Sequence, residues 1–202
     1  MKLLYIDSAS LLYITFHGGD FYDNCEIKIS CPALKFLKCK CPLPNDIGLY
    51  EEARQVRLSP ICFNKLKSLK LKLGVDEDHM QVMIQLLKYS PNLEVLKLWC
   101  DEIRHCWQMH DPEESIVCLD SHLKSIQLIG FKDEENEIEL LRFFLKNARV
   151  LEKLTFVWAG YALKSEEALK KVLNIPRTSS QVLLTFHDAK LKRKSTNWLD
   201  YC

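Results

Sequence analysis

Apolar residues recur along the chain in the pattern Leu-x-x-Leu-x-Leu, with conservative exchanges, and the pattern occurs six times. Its last two apolar positions alternate with other residues, as in a β-strand with one buried face. Successive copies begin 23, 32, 27, 30 and 28 residues apart, so the repeat is irregular. The copies are Leu11-Ile14-Phe16, Leu34-Leu37-Cys39, Leu66-Leu69-Leu71, Leu93-Leu96-Leu98, Leu123-Ile126-Leu128 and Leu151-Leu154-Phe156, and Val182-Leu184-Phe186 marks a seventh strand.

Three segments between these strands have helical periodicity. Residues 76–89 place apolar side chains three and four positions apart behind an acidic start, which favours a helix. The acidic run and apolar stripe of residues 133–147 predict a second helix, and residues 165–173 predict a third. In the third helix, the residues expected to face the core are Leu169, Val172 and Leu173.

Strands that are joined by helices lie parallel, because a tight hairpin cannot carry a helical crossover. The repeat and the helices together predict an α/β fold of the leucine-rich-repeat solenoid class. We expect a curved, mostly parallel sheet with helices and loops on its convex side. A chain of 202 residues is long enough to bury its apolar side chains in one such core.

The C-terminal part also carries several dispersed motifs, which are Ser121-His122-Leu123-Lys124, Gly130-Phe131, Glu139-Leu140, Leu145-Lys146-Asn147-Ala148, Val150-Leu151-Glu152-Lys153 and Leu173-Asn174-Ile175-Pro176-Arg177-Thr178-Ser179-Ser180. In this order they resemble the FBD domain of plant F-box/FBD/LRR-repeat proteins. The resemblance implies an FBD-type unit that continues the sheet. It predicts a leucine-rich-repeat region over residues 1–111, N-terminally incomplete, an FBD domain over 112–190 and a basic, fraying tail over 191–202.

The resemblance implies protein recognition, as in the substrate-binding half of an SCF-type ubiquitin ligase receptor, and not an enzyme. Family members carry an F-box, which this sequence lacks, so we expect the chain not to bind the cullin adaptor. One alternative is a truncated relative that binds partners without delivering them to a ligase. Another is a nucleic-acid-binding module, which the charge balance disfavours.

The charge balance is nearly neutral, with 28 Lys and Arg against 27 Asp and Glu. A net charge of +1 provides no general attraction for nucleic acid or for an anionic membrane. Charged residues interrupt the N-terminus too early for a signal peptide, and no apolar run is long enough to span a bilayer. We therefore expect a cytoplasmic or nuclear protein whose nine cysteines are reduced.

Catalytic and metal-binding signals are weak. We find no nucleophile elbow, phosphate loop or glycine-rich fingerprint, so we expect neither a catalytic residue nor a cofactor. Cys100, His105, Cys106 and His110 are possible zinc ligands. Their spacing differs from the paired arms of structural zinc sites, which favours a variable loop and leaves metal binding there open.

The residues between the strand leucines carry a second pattern. If Leu37, Leu69 and Leu96 point into the core, alternation turns the residue after each of them to the opposite face. Those residues are Lys38, Lys70 and Lys97. Equivalent positions on neighbouring strands lie about 4.8 Å apart, so the three lysines should form a row. Lys40, Lys72 and Trp99 should lie one step further along the same face, and the row should become neutral at Gln127 and Thr155.

A row of like charges suggests a binding surface. Lysines on neighbouring strands repel each other by about a few tenths of a kcal/mol per pair, with no structural return. The alternative is that these lysines are ordinary solvated strand residues. We expect this face to bind an acidic segment of a partner protein, with Trp99 as the apolar anchor.

Overall fold

The computed structural model describes residues 2–16, 25–39, 63–72, 77–100, 115–159 and 166–187. In chain order its elements are β1 (Lys2–Asp7), β2 (Tyr13–Phe16), β3 (Cys25–Ser30), β4 (Phe36–Cys39), β5 (Ser68–Lys72), α1 (Glu77–Lys88), β6 (Val95–Trp99), α2 (Val117–Ser121), β7 (Ser125–Phe131), α3 (Glu135–Asn147), β8 (Lys153–Trp158), α4 (Glu166–Leu173) and β9 (Leu183–His187). The fold is mixed α/β. Lys40, His105, Cys106, His110 and the predicted tail lie outside the described residues.

Seven strands form one sheet in the order β2-β4-β5-β6-β7-β8-β9, and every neighbouring pair is parallel. The second apolar position of each repeat occupies the same register position, so the predicted alignment of the strands is confirmed. The residues of this register column are Ile14, Leu37, Leu69, Leu96, Ile126, Leu154 and Leu184. From Leu37 to Leu154 they are at most 1% exposed, because they pack into the main apolar core.

A turn ahead of the strand sets this register. The first leucine of three repeats donates its N–H to the carbonyl three residues earlier, at 3.0 to 3.1 Å: Leu34 to Cys31, Leu66 to Phe63 and Leu93 to Ser90. The next residue then bonds to its equivalent in the preceding repeat, as Glu94 N–H does to the Lys67 carbonyl at 3.0 Å. The turn therefore aligns each strand independently of the length of the preceding connection.

Helices α1, α3 and α4 cover the leucine face of the sheet and lie close to their predicted positions. One predicted detail of α4 is wrong, since Leu173 is 51% exposed while Ala168 is fully buried. Ala168 and Val172 are four residues apart and share the buried side of α4, whereas Leu173 is turned away by about 100°. The longest described helix, α3, has 13 residues, and no helix in the described ranges could span a bilayer.

Three elements were not predicted from the sequence, namely β1, β3 and the five-residue helix α2. Strands β1 and β3 form a separate parallel pair in which Asp7 lies opposite Ser30. Ser8 N–H extends this pairing to the Ser30 carbonyl at 3.0 Å. The repeat pattern could not indicate these strands because they lie ahead of the turns and do not match the Leu-x-x-Leu-x-Leu spacing.

Candidate protein-binding face

The sheet face opposite the main core carries the predicted lysines, and we call it the lysine face. One row of side chains runs across all seven strands at a single register position. Its members are Thr15, Lys38, Lys70, Lys97, Gln127, Thr155 and Thr185. The predicted alignment of Lys38, Lys70 and Lys97 is therefore confirmed, as is the change to neutral residues. All three lysines are half-buried.

The next row, one step towards the carboxyl ends of the strands, begins within the described residues at Lys72. Lys72 lies opposite Trp99 on β6. The row continues through Ile129, Val157 and His187. It is therefore positively charged at β5 and apolar from β6 to β8.

Trp99 does not have the exposure that its predicted role requires. Its side chain is only 3% exposed and forms a small apolar cluster with Ile129 and Val157, which are 6% and 7% exposed. The cluster is separate from the main core and lies on the lysine face. Trp99 has apolar neighbours on β7 and β8, and packing against them removes the apolar surface of its large ring from water. The prediction of Trp99 as an accessible anchor is wrong.

An exposed aromatic pair lies at the other side of the lysine row. Tyr13 on β2 and Phe36 on β4 stack with ring centroids 4.7 Å apart and an interplanar angle of 3°. They are 62% and 37% exposed. Each lies one residue before a core position, so alternation along the strand places it on the same face of the sheet as Lys38. That alternation was the signal that could have identified the pair from the sequence.

Opposite charges occur just ahead of the strands, next to the lysine face. Lys67 Nζ lies 2.6 Å from Glu94 Oε1, and Lys124 Nζ lies 3.4 Å from Glu152 Oε1. These four residues occupy equivalent repeat positions, because each backbone N–H bonds to the carbonyl of its predecessor. The chain thus places opposite charges on neighbouring repeats here, in contrast to the lysine row.

The start of α3 contains a buried carboxyl group. Glu137 Oε2 accepts hydrogen bonds from the backbone N–H groups of Lys132, at 2.8 Å, and Glu134, at 3.1 Å, while the Glu134 side chain caps the first turn in return. Glu137 Oε1 is buried and has no hydrogen-bond partner in the described structure. Burial raises the pKa of Glu137 to about 7, although the two backbone donors act in the opposite direction.

The motif residues that carry the FBD resemblance have structural contacts. Asn147 Nδ2 donates to the Phe143 carbonyl at 2.9 Å and closes the last turn of α3. The Thr178 hydroxyl donates to the Lys146 carbonyl at 2.5 Å, and the Ser179 hydroxyl donates to the Leu151 carbonyl at 2.7 Å. The last two bonds attach the Pro-Arg-Thr-Ser segment to the end of α3 and to the loop between α3 and β8. The motif therefore holds this unit together.

Cys31, Cys39, Cys100 and Cys118 are free thiols and all are buried. Burial raises the pKa of Cys118 to about 12 and also raises the pKa of Cys31, so neither is a reactive thiolate. Cys100 is fully buried, and the other candidate zinc ligands lie outside the described residues. Within the described ranges, no three His, Cys, Asp or Glu side chains lie together as a metal site would require.

Comparison with known proteins agrees with the motifs. Residues 111–156 match the FBD family. An F-box/FBD/LRR-repeat protein of Arabidopsis thaliana is 38% identical over 107 residues, which cover 50% of this chain and 25% of that protein. An FBD-associated F-box protein of the same plant is 26% identical over 171 residues, which cover 76% of this chain and 41% of the relative.

The chain spans less than half the length of the curated relatives that it matches. No solved structure matches it. The FBD match ends at residue 156, so the predicted domain boundaries at 112 and 190 stay predictions. The resemblance to the plant F-box/FBD/LRR-repeat proteins, stated above from the motifs alone, is confirmed by the FBD match and by these relatives.

Proposed function

We propose that this chain is a protein-interaction module whose lysine face binds an acidic segment of a partner protein. The observation that carries the proposal is the alignment of Lys38, Lys70 and Lys97 on three adjacent strands. Neighbouring strands lie about 4.8 Å apart, so the three positions span roughly 10 Å. This distance suits two or three carboxylates of an extended segment.

The contrast with the neighbouring charges supports this proposal. On β5 and β6 the sheet has Lys70 opposite Lys97, whereas the residues ahead of the same strands form the Lys67–Glu94 ion pair. Like charges on neighbouring strands repel each other, and a bound acidic segment would add an attraction to each of the three lysines. Complementary charges of this kind mainly raise association rates and discriminate between partners.

We propose that the fold is a leucine-rich-repeat solenoid with its helices on a convex side and an FBD-type unit at its C-terminal end. One strand per repeat, added in chain order and in the same register, supports this assignment. In such an arrangement the lysine face is the inner, concave surface. We further propose a cytoplasmic or nuclear location.

For biological role, we propose the substrate-recognition half of an SCF-type ubiquitin ligase receptor. The names of the relatives support this role. The alternative is a module that binds its partner without delivering it to a ligase. A pull-down of this 202-residue polypeptide with purified cullin adaptor separates the two roles. Stoichiometric binding would favour delivery by this chain itself, and no binding would favour the alternative.

Charge reversal tests the lysine face. We would measure binding of a fluorescent peptide containing four consecutive acidic residues to the wild type and to the Lys70→Glu/Lys97→Glu variant across a salt series. The variant should bind about tenfold more weakly and with a shallower salt dependence. The matched control is Lys65→Glu/Lys88→Glu, which changes the net charge equally at two exposed positions outside the strands. Equal binding by all three proteins would exclude the lysine face.

A further inference from the structure

The aromatic pair of Tyr13 and Phe36 has no role in the core. Both rings lie on the lysine face, and their exposure of 62% and 37% contrasts with the buried Trp99 cluster on the same face. We propose that the aromatic pair is the apolar anchor of the partner site. The bound segment then carries an aromatic or long aliphatic side chain beside its acidic residues. This inference rests on the proposed function of the lysine face.

The geometry fits one short segment. Phe36 precedes Lys38 by two residues on β4, which is about 7 Å along the strand. From Phe36 to Lys97 the path crosses two further strands, so the direct separation is roughly 12 Å. An extended chain rises about 3.3 Å per residue, so four or five residues would reach from the aromatic pair to the last lysine.

The two parts of the surface supply different properties. The lysines attract acidic segments in general, which raises association rates and gives little selectivity among them. A stacked Tyr–Phe pair offers a large, rigid apolar contact, and aromatic residues of this kind dominate binding energy at protein interfaces. The aromatic pair should therefore determine which acidic segments remain bound.

A stacked aromatic pair beside lysines also resembles a platform for single-stranded nucleic acid. The charge distribution favours a peptide instead. The middle row is neutral from β7 to β9, and the whole chain has a net charge of only +1, so few phosphates could be neutralised. An acidic peptide with one apolar residue uses both features within the available distance.

The test uses two synthetic fluorescent peptides that differ at one position. One has a phenylalanine ahead of four acidic residues, and the other has alanine there. The full chain is compared with Tyr13→Ser/Phe36→Ser, and the matched control is Leu183→Ser. Leu183 has the same 62% exposure as Tyr13 and lies in the same row of the sheet, but on β9, beside Lys153 and three strands away from Lys97, the nearest member of the lysine row.

The double variant should bind the phenylalanine peptide about tenfold more weakly and the alanine peptide unchanged. Leu183→Ser should change neither affinity. If Tyr13→Ser/Phe36→Ser weakens neither peptide, or both equally, the anchor is excluded. If the anchor is excluded but Lys70→Glu/Lys97→Glu binds both peptides more weakly than the wild type, the proposed function is retained without the anchor. If Lys70→Glu/Lys97→Glu binds both peptides as tightly as the wild type, both proposals fail.

An oligothymidylate provides the nucleic-acid arm. The peptide proposal would be overturned if the wild type bound the oligothymidylate more tightly than either peptide and the double variant no longer bound it. Thermal unfolding checks that each variant is folded. If the double variant unfolds, Tyr13→Ser alone is used, because Tyr13 is the more exposed ring, and a fourfold or greater loss for the phenylalanine peptide alone is then required.

Discussion

Lys67 and Glu94 form an ion pair, at 2.6 Å, between repeats whose strands carry Lys70 directly opposite Lys97. The same two neighbouring repeats thus place opposite charges together at one position and like charges together three residues later. Both partners of the ion pair are about half exposed, so it contributes only a few tenths of a kcal/mol. The ion pair matters because of this contrast. The distance between the two repeats allows an attractive pair at Lys67 and Glu94, whereas Lys70 and Lys97 carry like charges at the same distance.

Replacing the central lysine of the row should stabilise the protein. Lys70→Glu places a carboxylate between Lys38 and Lys97, and each new opposite-charge pair across strands contributes about 0.2 to 1 kcal/mol. We expect the free energy of unfolding, measured with denaturant, to increase by roughly 0.5 kcal/mol or more. Lys65→Glu, in the turn ahead of β5, is the control and should leave it nearly unchanged. A less stable Lys70→Glu protein would mean that the lysine row has a structural role.

The buried Glu137 should make stability depend on pH. Its pKa is raised from an ordinary 4.5 to about 7 in the folded protein, so the folded state binds more protons than the unfolded state between these values. The free energy of unfolding therefore falls as pH rises from about 5 to 7, by an amount on the order of 2 kcal/mol for this group. Glu137→Gln should remove this component, so the variant gains stability relative to wild type as pH rises.

Chemical denaturation at pH 5 and pH 8 measures this difference. Glu139→Gln is the control, because Glu139 lies two residues later on the same helix and is not fully buried. Parallel pH profiles for the wild type and Glu137→Gln would show that Glu137 is not protonated in the folded protein.

The serine pair in the Pro-Arg-Thr-Ser segment offers a matched test of its structural role. Ser179 is 8% exposed and its hydroxyl donates to the Leu151 carbonyl, whereas the adjacent Ser180 is exposed. Ser179→Ala should lower the free energy of unfolding by about 1 to 2 kcal/mol, because a buried acceptor loses its donor. Ser180→Ala should change it by less than about 0.5 kcal/mol. Equal effects would contradict the attachment of this segment through Ser179.

Amide hydrogen exchange should differ between the two ends of the sheet. In the described structure, β2 pairs only with β4, whereas β7 lies between β6 and β8. We expect the amides of residues 3–16 to exchange faster than those of residues 123–156, since an edge strand with few neighbours opens at lower free energy. Similar protection in both segments would indicate that the β1–β3 pair, or a second molecule, secures this edge.

The sequence was sufficient for the main sheet because one leucine pattern determines both the buried face and the register. Leu69, for example, has to lie opposite Leu96 once both are buried, and Lys70 then lies opposite Lys97. The pattern does not predict how exposed a side chain on the lysine face is. Trp99 and Phe36 both alternate onto the lysine face, yet Trp99 is buried among its cross-strand neighbours and Phe36 is exposed.

The carboxyl group of Glu137 illustrates a second limit. An acidic residue near a helix start predicts a favourable interaction with the helix dipole, which the capping arrangement provides. Its complete burial depends on the chain around Lys132 and Glu134 folding over the first turn of α3. No local sequence pattern contains that information.

The turns ahead of the strands have a consequence for how such a surface can change during evolution. Because each turn aligns its own strand, insertions and deletions in the connections leave the row of Lys38, Lys70 and Lys97 in place. Each lysine of that row lies on a different repeat, so a substitution at one codon replaces one of them without changing the others. A lineage carrying this architecture can therefore exchange one partner for another by single substitutions, while the leucines behind the row continue to preserve the fold.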